Sequence, residues 1–275
     1  CYSVAFGNGK FVATGAGYKD YYYSEDGINW TKGELPIQGT WFVAYGNGRF
    51  VAVDYGGNGD TVLYSEDGVN WTSTPMTVEL ESGSQWENVR FVNDRFIALG
   101  AYQISAYSKD GINWTKITLP SGTNYKDATY YEDVAYGNGK YVAVGRRAIS
   151  YSEDGINWTK ASAPTTEEGW FSVTYGGGRF VAISYNHLTT TQSGLYAYSE
   201  DGINWKTNSV PNNGVWKCVH YENGRFIMVG NGTGIAISTD GINWVRSVSS
   251  LTTLKGDDIT LEVFISAELQ KRLEG

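Results

Sequence analysis

The sequence predicts an all-β fold, a six-bladed β-propeller built of four-stranded antiparallel blades. Three observations predict it. The string Tyr-Ser-Glu-Asp-Gly-Ile-Asn-Trp recurs six times with small changes, ending at Trp30, Trp71, Trp114, Trp158, Trp205 and Trp244, at intervals of 39 to 47 residues. A second string, Val4-Ala5-Phe6-Gly7-Asn8-Gly9-Lys10-Phe11-Val12-Ala13, precedes the first copy, and its counterparts begin at Val43, Val89, Val134, Val173 and Val219. No helical period interrupts the repeats. Units of this length with four short strands each are the propeller signature. A β-solenoid fits less well, because its repeats are shorter and its strands parallel.

Each unit is read in order. Strand one closes at the Tyr or Phe before Gly-Asn-Gly. Asn-Gly between apolar runs is the strongest short-range hairpin signal, since both central residues need positive φ. Strand two is the apolar run that follows, such as Tyr141-Val142-Ala143-Val144. Strand three ends in Tyr-Ser, and strand four carries Asn-Trp-Thr-Lys. The repeats therefore assign residues 1–246 to the propeller. From Val245 the pattern is lost, and 247–275 form a tail. There Ile259 to Ile265 alternates like a strand and Ala267 to Leu273 suits a short helix. The tail is a candidate linker, ring closure or start of another element, and a candidate route into a larger assembly.

The totals narrow the function. The 275 residues carry a net charge of −8. That balance disfavours nucleic acid, whose binding draws on clustered Lys and Arg, and adsorption to an anionic membrane. No apolar run approaches the roughly 20 residues a spanning helix needs. Ten Trp, 21 Tyr and 10 Phe provide a large apolar core. The only histidines, His187 and His220, and two cysteines make no Cys–His cluster. No metal or other cofactor is expected, and His220, beside Val219, reads as packed.

Ser152-Glu153-Asp154-Gly155-Ile156-Asn157-Trp158 resembles the Asp box of sialidases and related propellers. Further copies start at Ser24, Ser65, Ser108, Ser199 and Ser238. The family pattern is Ser-x-Asp-x-Gly-x-x-Trp, and this version is one residue shorter between Asp and Gly. Over residues 1–246 the chain is similar to the Asp-Gly-x-Asn-Trp repeat propellers of bacterial surface proteins and of phage or prophage tails. The resemblance implies structural boxes set away from any site. The chemistry agrees: Asp accepts backbone N–H groups in a tight turn, Gly supplies the left-handed conformation, and Trp packs between blades. The box also creates Asn-x-Thr sequons at Asn29, Asn70, Asn113 and Asn157, by-products of the repeat.

Strand parity separates two ends of each blade. The one–two and three–four turns share one end and are nearly uniform. The two–three and four–one loops share the other and vary, and variable loops on a rigid scaffold are where binding concentrates. The candidate ligand-binding residues all lie at this variable end. Trp41, Trp86, Tyr131, Trp170 and Trp216 stand at the start of strand one, where they either contact ligand or plug the space between blades. Tyr18, Tyr102, Tyr185 and His187 sit in two–three loops, and Arg146 and Arg147 form the only adjacent Arg pair. Lys10, Arg49, Arg95, Lys140, Arg179 and Arg225 share one repeat position and read as scaffold surface.

The expected function is a non-catalytic binding propeller. It recognises a cell-surface glycan or protein receptor, with no nucleic acid and no membrane insertion, and is extracellular, on a bacterial surface or in a virion. A sialidase-like glycoside hydrolase is the second reading. The resemblance then requires three Arg at the site, and outside the repeat position only Arg90, Arg146, Arg147, Arg246 and Arg272 are present. Its candidate carboxylates are Asp20, Asp54, Asp60, Glu87, Asp127, Glu132 and Asp133. A scaffold or assembly-factor propeller binding a protein partner is the third.

Overall fold

The first sheet shows how the repeat folds. The computed structural model of the protein describes residues 3–15, 19–54, 61–78, 85–100, 104–120, 130–146, 148–162, 169–185, 194–210, 215–231 and 234–247. Strands β1 (Ser3–Gly7), β2 (Lys10–Thr14), β3 (Asp20–Ser24) and β4 (Thr31–Glu34) pair antiparallel in chain order. Asn8 and Gly9 join β1 to β2 at φ of 48° and 74°, the left-handed region that a hairpin turn of matching twist demands.

Five more sheets repeat this order. The second holds β5 (Thr40–Gly46), β6 (Arg49–Asp54), β7 (Thr61–Ser65) and β8 (Thr72–Pro75); the third β9 (Trp86–Val92), β10 (Arg95–Gly100), β11 (Ile104–Ser108) and β12 (Thr115–Thr118). The fourth holds β13 (Tyr131–Gly137), β14 (Lys140–Gly145), β15 (Ala148–Ser152) and β16 (Thr159–Lys160); the fifth β17 (Gly169–Gly176), β18 (Arg179–Tyr185), β19 (Leu195–Ser199) and β20 (Lys206–Ser209). The sixth holds β21 (Val215–Glu222), β22 (Arg225–Asn231), β23 (Gly234–Ser238) and β24 (Val245–Ser247). The fold is an all-β, six-bladed β-propeller of four-stranded antiparallel blades. The last strand takes the blades to Ser247, past the point where the repeat pattern fades; the rest of the tail lies outside the described residues.

One turn recurs between strands three and four. Asp26 Oδ1 accepts the N–H groups of Ile28 and Asn29 at 2.8 and 2.7 Å and the Ser24 hydroxyl at 2.9 Å, while Oδ2 accepts the Asn29 amide at 2.7 Å. The Gly27 N–H donates to Ser24 Oγ at 2.9 Å, and Gly27 takes a φ of 71°. Asp67, Asp110, Asp154, Asp201 and Asp240 hold the same set. Strand four accordingly begins at Thr31, after the Trp rather than with it, because the Asn29 N–H is committed to Asp26 and not to a ladder. The sequon asparagines 29, 70, 113 and 157 spend their side-chain amides inside these turns.

The chain divides into two compact units, one with the first two blades and most of the third, the other with the last three. Inside each unit, every blade grips the turn of the next. In the first, the Asn8 amide donates to the Glu66 carbonyl at 3.1 Å and the Asn47 amide to the Lys109 carbonyl at 2.8 Å. Arg49 reaches the Asp110 carbonyl at 2.5 Å and Tyr21 the Val69 carbonyl at 3.0 Å. In the second, Asn138 reaches Glu200 O at 3.2 Å, Tyr196 reaches Ile242 O at 2.6 Å, and Arg179 reaches Asp240 O. Arg49 also pairs with Glu66 and lies over the Tyr64 ring, as Arg179 does with Glu200 and Tyr198. These cations are scaffold.

The cores lie between neighbouring blades. Val12 and Tyr21 pack with Val43, Phe50, Ala52 and Leu63 across the first two. Val144, Ile149, Trp170 and Phe180 do so across the fourth and fifth, and Val181, Tyr196, Trp216 and Phe226 across the fifth and sixth. The glycine that ends the first strand of blades one, two, four and five belongs to this packing. A β-carbon at Gly46 would overlap the Phe91 ring, and one at Gly137 the Tyr175 ring.

Two outcomes are expected. The Asp26 carboxyl is held below its ordinary range by the Asn29 N–H first, then by the Asn29 amide, the Ile28 N–H and the Ser24 hydroxyl. The other five are lowered too; at Asp110, Asp201 and Asp240 burial is the largest influence and acts upward, but the donors outweigh it. A carboxyl lowered by folding stabilises above its unfolded pKa, about 3.9, and that stability is lost as pH falls further. The melting temperature should therefore drop steeply below about pH 4, and Asp154→Asn should lower stability at pH 7 and shallow the acid limb in a pH series of thermal melts. Gly137→Ala should cost about 1–3 kcal/mol by overpacking, read as a shifted denaturant midpoint.

Candidate functional site

The first strands carry the site. They are the strands that pack together from blade to blade: β1 beside β5 and β5 beside β9 in the first unit, β13 beside β17 and β17 beside β21 in the second. Their hairpin ends run into the constant turns, so their opposite ends meet the variable loops.

At that variable end the strands are bulged. In β13, Tyr131 pairs Gly145 and Asp133 pairs Val144, leaving Glu132 extra. In β17, Trp170 pairs Ser184 and Ser172 pairs Ile183, leaving Phe171. In β21, Trp216 pairs Gly230 and Cys218 pairs Val229, leaving Lys217. In β5, Thr40 pairs Asp54 and Phe42 pairs Val53, leaving Trp41. A bulge inserts one unpaired residue, bends the strand and re-aims a side chain, and bulges concentrate beside functional sites.

This register changes the reading of the aromatic set. Trp86, Tyr131, Trp170 and Trp216 are at most 1 % exposed. Rings so covered present no open stacking face, and Trp170 and Trp216 pack in the cores between blades. The Tyr131 hydroxyl lies 2.6 Å from both the Pro120 carbonyl, to which it donates, and Ser150 Oγ; burial pushes its pKa well up, against the Ser150 bond. Trp41 does not share their position. Buried Thr40 stands where blades four to six place an aromatic, and Trp41 takes the bulge. The clue in the sequence is Asp54, where blade four has Gly145: a β-carbon on Gly145 would run into the Tyr130 carbonyl, while blade two exchanges the large and small partners.

The remaining candidates separate. Arg146 is exposed; its N–H donates to the Tyr130 carbonyl at 2.9 Å, its guanidinium lies 5.3 Å over the Tyr130 ring, and its backbone bridges to Gly169 of the next blade. Tyr185 ends β18. Tyr18, Tyr102, His187 and Arg147 lie outside the described residues. His220, expected to be packed, is exposed with its Nε2 3.9 Å from Glu222 Oε2, because the alternation of β21 turns Val219 inward and His220 out.

Carboxylates named for a hydrolase have other work. Asp133, 2 % exposed, accepts the Ser172 hydroxyl at 3.0 Å and the Val173 N–H at 3.1 Å on Oδ2, and the Val134 N–H at 3.0 Å on Oδ1. Ser172 Oγ in turn accepts the Val219 N–H at 3.3 Å, and Ser3 exchanges the same kind of bonds with Val43. In blades one, four and five the residue before the strand-one valine is thus a tether to the next blade, a role the sequence reading missed. Asp20 pairs with Lys32 at 2.8 Å on the surface, Glu87 accepts the Gln85 amide at 3.1 Å, and Asp54 is buried. Asp60 and Asp127 lie outside the described residues. Among the described residues, no three His, Cys, Asp or Glu side chains gather into a metal site.

No protein-family model matches the chain, and no curated protein sequence matches it. Among solved structures, a streptogramin B lyase is similar at a TM-score of 0.71 and 10% identity, over 89% of this chain and 81% of that one. Virginiamycin B lyase from Staphylococcus aureus is similar at 0.71 and 11%, over 90% and 84%. YCF48 bound to D1 peptide is similar at 0.63 and 16%, over 88% and 79%. At these identities the likeness shows the fold alone. It corrects one expectation: the chain was read as no enzyme, yet two similar propellers are lyases, so the architecture does not exclude catalysis.

The tether and the plug give a further expectation. Tyr131→Phe removes a buried hydroxyl from two partners and should cost about 1–3 kcal/mol in chemical denaturation, while ligand binding at the loop end is left intact.

Proposed function

We propose that the chain is a binding propeller that recognises a cell-surface glycan or protein receptor through the loop ends of its blades, opposite the Asp turns, at a bacterial surface or in a virion. One observation carries the reading. At a single repeat position, where four first strands are bulged, the residues are Trp41, Glu132, Phe171 and Lys217. An aromatic, an acid, a second aromatic and a cation replace one another, each following a residue that stays buried: Thr40, Tyr131, Trp170 and Trp216. A position that served only the fold would keep one chemistry, as the Asp turns at the opposite end do. The bonding set of those turns supports reading them as Asp boxes one residue short. YCF48 bound to D1 peptide supports the capacity of this fold to hold a macromolecular ligand.

The test is a binding screen of the intact protein against an array of glycans and an array of surface proteins. It runs beside a variant with Tyr18, Tyr102 and Tyr185 changed to Ala, and beside Glu153→Ala, an exposed change at the turn end. Selective binding that is lost in the triple variant and kept in Glu153→Ala is the expected result. No selective ligand on either array, or equal binding by all three proteins, overturns the reading.

A further inference from the structure

The end of β14 meets the start of β17 at Gly169. That glycine pairs with Arg146 of the fourth blade on one side and with Tyr185 of its own blade on the other. It has no side chain and is only half-buried. The register therefore sets Arg146 and Tyr185 two strand spacings apart, about 10 Å, with bare backbone between them. Arg146 is fixed there at several points. Its N–H donates to the Tyr130 carbonyl at 2.9 Å, and its guanidinium lies 5.3 Å over the Tyr130 ring. Its stem borders the glycine, since a β-carbon added to Gly169 would stand 3.4 Å from Arg146 Cγ. Yet the guanidinium is unspent. Arg49 gives its own to the Asp110 carbonyl and Glu66, and Arg179 to the Asp240 carbonyl and Glu200. Arg146 is exposed, and among the described residues no hydrogen bond or ion pair takes its side-chain N–H groups. The blade does not require this charge: the same repeat position holds Ala16, Tyr55, Ala101, Tyr185 and Asn231 in the other five.

We infer that Arg146, Gly169 and Tyr185 form a sugar-acid subsite, in which the guanidinium takes a carboxylate carried on a sugar ring and the ring lies over the Gly169 backbone. This rests on the reading that the loop ends bind a ligand, and it names the ligand's class. A guanidinium offers its donors in a fixed fork that matches the two oxygens of a carboxylate. Such charge-assisted bonds are roughly twice as strong as those to a neutral hydroxyl. The Tyr130 ring attracts the cation with its π face and uses up no donor. One guanidinium matches one negative charge, whereas a polyphosphate or nucleic acid draws on a cluster of cations, which a chain of net charge −8 is poor in. An acidic side chain of a protein fits less well. It gives up rotamer freedom when its carboxylate is held, while a carboxylate on a pyranose ring is already fixed. A rigid ligand on a pre-organised cation keeps more of its binding energy. Tyr185, at the far register position, brings an aromatic, a residue type that offers a large rigid contact.

The experiment uses the whole chain and four immobilised probes: an oligogalacturonate, its methyl ester, a sulfated neutral oligosaccharide and a glutamate-bearing peptide. The wild-type protein should bind the acid about tenfold more tightly than the ester, equivalent to about 1.4 kcal/mol, and more tightly than the other two probes. Arg146→Gln should bind acid and ester alike. Gly169→Leu, which covers the backbone floor without changing charge, should weaken both. Circular dichroism should be unchanged in each variant, and Glu153→Ala at the turn end should keep the wild-type preference. Equal binding of acid and ester by the wild type, a preference for the sulfated probe or the peptide, or an Arg146→Gln variant that still prefers the acid overturns the assignment. Selective binding of other glycans or of surface proteins, with no carboxylate preference, overturns it too and leaves the broader reading standing; no selective ligand of any kind removes both.

Discussion

An aspartate carboxylate at the end of strand three organises each blade. It collects two backbone N–H groups, an amide and a hydroxyl within four residues of itself. Because those N–H groups are committed, the strand-four ladder starts late, and the carbonyls of the turn are left pointing outward. The preceding blade uses them. Asn8 and Tyr21 of the first blade, Asn47 and Arg49 of the second, and Arg179 and Tyr196 of the fifth donate to those carbonyls. One local motif thus closes a blade and docks it on its neighbour, so the turn end is occupied by the fold.

That commitment pushes chemical variation to the opposite end. Four first strands accommodate part of it with a bulge. Buried aromatics under small strand-two partners fill the space beneath, and polar tethers fix one first strand against the next. A side chain placed by a bulge on a packed strand is held more firmly than one on a loop, which suits recognition. The same architecture serves lyases, so the chemistry at this end, and not the propeller, decides what such a chain does.

Much of this was legible in residue order. Repeat spacing, Asn-Gly hairpins and the Ser-Xaa-Asp-Gly string announced six blades, their strand order and the constant end. The Asp turns needed no tertiary information, since every bond in them is made within five residues. The candidate site was less legible. Trp41 looked equivalent to Trp86 because both precede strand one, yet pairing of Thr40 with Asp54 moves it by one residue. His220 looked packed beside Val219, yet the strand turns it outward.

The sequence by itself determined the elements: where strands start, which turns join them, and which end of each blade is uniform. Those depend on local propensity and on hydrogen bonds between near neighbours, which the chain encodes in place. Only the tertiary structure decided which residues of strand one are buried, which tether the next blade, and which one is extra. A single-residue shift in register exchanges the two faces of a strand, and register across a bulge is set by how a large side chain meets a small partner on another strand. No reading along one strand contains that partner.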